Sequence, residues 1–254
     1  VVISHRLTPA IIHSRARLTY TQVNRLFAGQ ENQVPEALRQ TLFDMLSLSK
    51  TLRRAREERG AIDFELSEPQ FVLDESGEPV DVRPRQRGEA ERLIEDFMLA
   101  ANEQVARVAR ERDIPFLYRV HEDPDPDRLH TLEVFLANLG HPTYLGGKVP
   151  PAVLRKLLLD TAGLPESEII RHVMLRSLKK ACYSESPQGH YGLAAPDYCH
   201  FTSPIRRYPD LTVHRMLRRM LAGDPALAAQ KKNMHELAMQ CSATEQEAVA
   251  VERD

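Results

Sequence analysis

The residues best equipped for chemistry lie between positions 189 and 215, in the run GHYGLAAPDYCHFTSPIRRYPDLTVHR. Pro204 and Pro209 fix the backbone on either side of Arg206 and Arg207, and Asp210 is placed to open a helix whose apolar positions are Leu211, Val213, Leu217 and Leu221. Two guanidiniums are thereby presented on a restrained turn. From Arg206 to Arg219 there are five arginines against one aspartate, and Arg171, Arg176, Lys179 and Lys180 form a second basic face with no acid between them. A phosphate backbone fits such groups, because a planar guanidinium forks onto phosphate oxygens and each neutralised phosphate releases a counterion. From charge alone, a pair of arginines that merely solvates a helix entrance is the more ordinary reading. His200, Thr202 and Ser203 flank the arginines and are expected to shape the turn rather than to move protons.

Other candidates are weaker. Asp123, Asp125 and Asp127 in HEDPDPD resemble the start of a calcium loop, but Arg128 stands where glycine is required and Val134 where a closing glutamate is required; the run is expected to be a solvated turn that starts a helix. HExxH, GxxxxGK[ST], GxSxG and GxGxxG are all absent. Cys182, Cys199 and Cys241 have neither an even count nor metal-ligand spacing, which argues against a disulfide framework or structural zinc and favours a reducing cytoplasm. With 34 basic and 36 acidic residues the net charge is −2, so attraction for a polyanion must come from local patches.

The elements that must position these groups are mostly helical. Apolar residues recur near period 3.6 over 34–59, with Gly60 as a stop, and again over 88–112 and 126–139. Further helices are expected at 151–159, 166–180, 210–221 and from about 225 to the end. Between residues 61 and 82, Ile62, Phe64 and Leu66, then Phe71, Val72 and Leu73, then Val80 and Val82 after Ser76-Gly77, suggest a small antiparallel sheet on which the helices over 88–112 and 126–139 would pack. Residues 181–208 are rich in Pro, Gly, Ser, Tyr and His, too irregular for a helix and too long for a bare linker. The expected fold class is α+β, mostly helical with a small antiparallel sheet. With 254 residues, 42% apolar and 28% charged, one large globular domain is the first expectation. No apolar run approaches a membrane span and no secretory leader is recognisable. A start at Val1 and an end within a charged helical pattern suggest a fragment.

The run HYGLAAPDYCHFTSPIRRYPDLTVHR resembles the signature of the ribonuclease II and ribonuclease R family, and its RRYPDLTVHR wording is closer to the ribonuclease R branch. HSRARLTYTQV at 13–23, RGAIDFELSEPQFVLDESG at 59–77, EAERLIEDFMLAAN at 89–102, FLYRVHEDPDPDRL at 116–129 and CSATEQEAVAVERD at 241–254 agree in order. The resemblance implies a hydrolytic 3′-to-5′ exoribonuclease that threads single-stranded RNA into a channel and releases nucleoside 5′-monophosphates. By the same resemblance Arg206 is the catalytic arginine on the scissile phosphate, with Arg207 as a supporting ligand. Phe64 is the clamp aromatic for terminal bases, Tyr20 a channel-floor tyrosine, and Glu95 and Glu245 are acids beside the terminal nucleotide. The other reading of Phe64 is a core strand residue; without the resemblance Tyr20 reads first as a core residue, and the two glutamates read equally as helix-surface charge.

The resemblance also implies two Mg²⁺ ions held by an aspartate cluster upstream of the residues seen here. Residues 1–254 are therefore expected to be a partial catalytic domain of this family, without metal ligands of its own, without a second clamp aromatic or flanking RNA-binding barrels, and inactive alone. Single-stranded RNA is the expected partner, the cytoplasm the expected location, and no membrane contact is expected. Two alternatives stay open at this point: a catalytically dead relative that binds RNA, and a helical scaffold with no RNA role.

Overall fold

A computed structural model describes residues 2–30, 33–63, 69–74, 76–84 and 87–253. The chain divides into two compact units: Ile12–Arg54 with Asp63–Phe97, and Val1–Ile11 with Ala55–Ile62 and Met98–Asp254.

In the smaller unit, helix α1 spans Tyr20–Phe27. Its eight residues are too few for a clear periodic signal, and it starts instead from a capping box: Thr19 Oγ1 accepts from the Gln22 amide at 3.3 Å, and Gln22 Oε1 accepts from the Thr19 amide at 2.8 Å. Helix α2, Glu36–Arg59, matches the predicted span and stops at Gly60, whose φ is +96°. Strands β1 (Pro69–Leu73) and β2 (Pro79–Pro84) pair antiparallel with Phe71 opposite Val82. Their turn is closed by Asp74, whose Oδ1 accepts from the amides of Ser76 and Glu78. Helix α3 spans Glu89–Glu111, its residues from Met98 belonging to the larger unit, as do those of α2 from Ala55. Within the smaller unit Asp96, buried on α3, accepts from Ser49 Oγ at 2.6 Å and from Arg53 Nη2 at 3.0 Å.

The larger unit holds β3 (Tyr118–Val120), α4 (Pro126–Asn138), α5 (Pro151–Asp160), α6 (Ser167–Ser177), β4 (Cys182–Ser184), α7 (Tyr208–Leu221) and α8 (Lys231–Arg253). Asp125 caps α4 through the amides of Asp127 and Arg128, with Pro126 in the first turn, so the HEDPDPD run is a helix start. Leu129, Leu132 and Leu136 form the buried stripe of α4, which packs on α6. The main core joins Val105, Ala106 and Ala109 of α3 to Val120 of β3, Val213 of α7 and Met234 of α8.

Several expectations are corrected. The sheet is not the packing centre: α4 lies on α6, α3 sends its apolar stripe into the main core, and Phe71, Leu73, Val80 and Val82 of the hairpin are exposed. Ile62 precedes the hairpin as coil, donating its amide to the Gly192 carbonyl at 2.7 Å, while Phe64 and Leu66 lie outside the described residues. The helix expected over 166–180 ends at Ser177, where Leu178 turns extended (ψ 152°) and feeds β4. The helix expected from Asp210 begins at Tyr208, because Pro209 in a first turn forfeits no intrahelical hydrogen bond. The last helix starts at Lys231 after a 3₁₀ turn at Ala228–Gln230. A second antiparallel ladder, β3 with β4, was not expected; at three residues per strand it has no readable alternation. Among the described residues no helix is long and apolar enough to cross a membrane.

Candidate functional site

The irregular segment is tied to regular structure by buried hydrogen bonds rather than by its own secondary structure. The His121 amide donates to the Gly189 carbonyl at 3.1 Å and the Tyr191 amide to the His121 carbonyl at 2.8 Å, extending the chain beyond β3. His190 and Ala195 exchange backbone hydrogen bonds around a tight turn that carries Ala194 in the left-handed region (φ 47°). Further along, the Arg119 amide donates to the Tyr198 carbonyl at 2.9 Å. Asn102, buried on α3, donates through Nδ2 to Tyr198 Oη at 3.1 Å and accepts through Oδ1 from the Phe201 amide at 3.2 Å. A side chain that spends both ends of its amide on one loop fixes that loop's register.

The double-arginine turn follows immediately. The amides of Arg206 and Arg207 both donate to the Ser203 carbonyl, at 3.3 and 3.1 Å. Asp210, 0% exposed in the first turn of α7, accepts on Oδ1 from the Ser203 amide at 2.8 Å and from Arg207 Nη2 at 2.9 Å. One carboxylate thus joins both sides of the turn. Arg207 is half-buried and engaged; Arg206 is exposed and has no carboxylate partner among the described residues.

Both guanidiniums line a cleft of about 580 Å³ whose other walls include Tyr183 of β4, Tyr208 of α7, and Cys241 and Glu245 of α8. Behind Tyr183, Arg119 of β3 lies 4.7 Å from the ring centroid, and its Nη1 meets Glu245 Oε2 at 2.5 Å. Tyr183 Oη is 2.9 Å from His200 Nδ1. Burial, followed by the charges of Arg207 and Arg119, drives the His200 pKa down to about 3, and burial pushes Tyr183 up to about 12. His200 is therefore neutral near pH 7 and holds the Tyr183 hydroxyl, as expected of a group that shapes the turn. His190, also buried, is lowered to about 3 and lies edge-on to Tyr198 at 5.2 Å between ring centroids. Arg206 and Arg207 put positive charge on the cleft lining, while Arg119, against the Tyr183 ring, is paired with Glu245.

Of the residues singled out in the sequence, Arg206, Arg207 and Glu245 meet in this cleft. Tyr20 and Glu95 belong to the smaller unit: Tyr20 opens α1 with an exposed ring, and Glu95 is ion-paired with Arg87. Phe64 lies outside the described residues. Asp210, Asn102, Arg119 and Tyr183 are positioning groups that sequence reasoning missed. Only Asp210 left a local signal, an acid three residues after Arg207 at a helix start. The carboxylates nearest the cleft are already used, Asp210 by Arg207 and Ser203, Glu245 by Arg119, and no group of three or more His, Cys, Asp or Glu among the described residues could hold a metal ion. This donor set does not fit a divalent-metal centre.

Comparison with known proteins bears on the family. The family model described as "RNB domain" matches residues 1–223. Ribonuclease R of Thermotoga maritima is 38% identical over 260 residues, covering 100% of this chain and 37% of that protein. Ribonuclease R 1 of Lactococcus lactis is 40% identical over 259 residues, covering 100% of this chain and 32% of that protein. The solved structure of Mycoplasma genitalium RNase R in complex with ribose-methylated single-stranded RNA superposes with a TM-score of 0.85 at 33% identity, over 92% of this chain and 38% of that one. The same protein has been solved with double-stranded RNA. The chain thus spans about two fifths or less of the length of these relatives. With the model matching nearly nine tenths of its residues and its loop built around the double-arginine turn, the chain belongs to the RNB domain family.

Proposed function

We propose that this chain is the later part of the catalytic domain of a hydrolytic 3′-to-5′ exoribonuclease that shortens single-stranded RNA to nucleoside 5′-monophosphates. The observation that carries the reading is Arg206, an exposed guanidinium that lines a cleft and has no carboxylate partner among the described residues, beside an Arg207 held by the buried carboxylate of Asp210. In hydrolysis, water adds to the phosphorus, the bond to the 3′ oxygen of the preceding nucleotide breaks, and that oxygen takes up a proton. Negative charge grows on the non-bridging oxygens on the way, and a preorganised guanidinium facing them lowers the barrier. Arg206 supplies that contact and Arg207 holds the turn in place. Phe64 stacks on terminal bases, Tyr20 contributes to the channel floor, and Glu95 and Glu245 face the terminal nucleotide; these four roles rest on the family resemblance.

Mg²⁺ belongs to this reading of the whole enzyme, with its ligands on the part of the relatives' length that this chain does not span. The 254 residues alone are accordingly proposed to be inactive. A cytoplasmic setting is part of the reading, supported by three free cysteines. A second reading is an RNA-binding relative without hydrolysis. A 5′-labelled single-stranded RNA incubated with Mg²⁺ tests both. The longer gene product should give a ladder shortening from the 3′ end and the 254-residue chain none. No ladder from the longer product, with RNA binding kept, would favour the second reading.

A further inference from the structure

Helices α7 and α8 enclose a second groove, of about 660 Å³, on the far side of Tyr208 from Arg206. Its lining includes Arg215, Arg218 and Arg219, with Asp224 as the sole carboxylate. That acid is spent: Asp224 Oδ2 lies 3.8 Å from Arg219 Nη1. Arg215 and Arg218 are exposed and have no carboxylate partner among the described residues. They stand three residues apart on one helix face, about 4.5 Å along the axis. Cations near a helix C-terminus have an ordinary explanation in the helix dipole, which covers Arg218 and Arg219 in the last turn of α7. It does not cover Arg215, which lies in mid-helix with its guanidinium 6.0 Å from the Tyr208 ring centroid. Tyr208 and Leu237 line both this groove and the double-arginine cleft, so the two are adjacent.

We infer that the α7–α8 groove is a second phosphate-binding track, taking the sugar-phosphate backbone of a single-stranded nucleic acid whose neighbouring segment occupies the cleft at Arg206. Two exposed guanidiniums on one helix face, without carboxylate partners among the described residues, can each fork onto a backbone phosphate, and a half-exposed tyrosine that lines both grooves offers a stacking face for a base. The inference rests on the RNA-degrading reading above and extends it from one phosphate to a path. A nucleoside monophosphate shares the phosphate chemistry, and the test separates the two sources.

The experiment measures binding of the 254-residue chain by fluorescence anisotropy, with single-stranded RNAs of about 4 and about 16 nucleotides, across a range of salt concentrations. The double variant Arg215→Gln, Arg218→Gln should weaken the longer RNA about tenfold. It should also flatten the dependence of log affinity on log salt by about 1.4, two phosphates at about 0.7 each, and leave the shorter RNA nearly unchanged. Arg215→Lys with Arg218→Lys should restore the slope. Both positions are exposed, so the variants should fold, which circular dichroism checks. An unchanged slope with the longer RNA overturns the track while leaving the exoribonuclease reading intact. An effect confined to competition by a nucleoside 5′-monophosphate overturns the strand assignment, and an unmodified chain that binds neither RNA sinks both readings.

Discussion

The loop over residues 189–207 and the β1–β2 hairpin hold their shapes by opposite means. The hairpin is regular, with a register that alternates side chains between two faces, yet Phe71, Leu73, Val80 and Val82 are all exposed and its turn rests on Asp74 and its neighbours. The loop has almost no regular structure, yet it is fastened at His121, Asn102, Arg119 and Asp210 by hydrogen bonds, that of Asn102 to Tyr198 buried and those to the Phe201 and Ser203 amides part-buried. Regularity is therefore a poor index of how firmly a group is placed. Precision at Arg206 comes from polar groups withdrawn from water, where each unmade hydrogen bond would cost about 1–3 kcal/mol.

That contrast makes acid the largest lever. His190 and His200, in the loop and its wall, are held neutral with values near 3 against an ordinary 6.5. Because both values are lowered, the unfolded chain binds more protons between the two limits. The stabilising contribution is complete above pH 6.5 and is lost as pH falls toward 3, at up to about 1.4 kcal/mol per pH unit for each histidine. Denaturant midpoints should fall between pH 6.5 and 5, and His200→Gln should make the decline shallower. An equal decline in the variant would remove His200 from the account.

Next in size, Asp210→Ala should destabilise the chain by about 3 kcal/mol, since it leaves the Ser203 amide and the half-buried Arg207 without their shared acceptor. Chemical denaturation measures this; a loss under about 1 kcal/mol would mean that the turn holds without it. Tyr183→Phe removes only the hydroxyl facing His200, and a loss of about 1 kcal/mol is expected in the same assay. Phe71→Ser on the hairpin should fall within about 0.5 kcal/mol of the parent chain. A loss as large as that of Asp210→Ala would erase the distinction between the two regions.

The same contrast explains what could be read in advance. Helices α2 to α5 and α7 were legible because their apolar stripes are long and their stops are local, as at Gly60 after α2 and Asp125 before α4. The functional loop was legible by composition, and Arg206 and Arg207 by the two prolines around them. The groups that fix the loop were not, because Asn102 lies 96 residues from Tyr198 and Arg119 lies 126 from Glu245. Such pairings exist only after the core has closed. The same holds for β3 and β4, which are too short to alternate and are defined by each other. Glu245 was singled out by resemblance, and its ion pair with Arg119 gives it a local task that no spacing could disclose.

The central claim is that Arg206 acts on the phosphate being cut rather than on RNA capture. It is tested most directly by comparing single-turnover rate and RNA affinity in the longer enzyme with and without Arg206→Ala. The account predicts a rate lowered by about 10² to 10³ with affinity nearly unchanged, because the contact strengthens as charge develops. Equal losses in rate and affinity, or an unaltered rate, would contradict it.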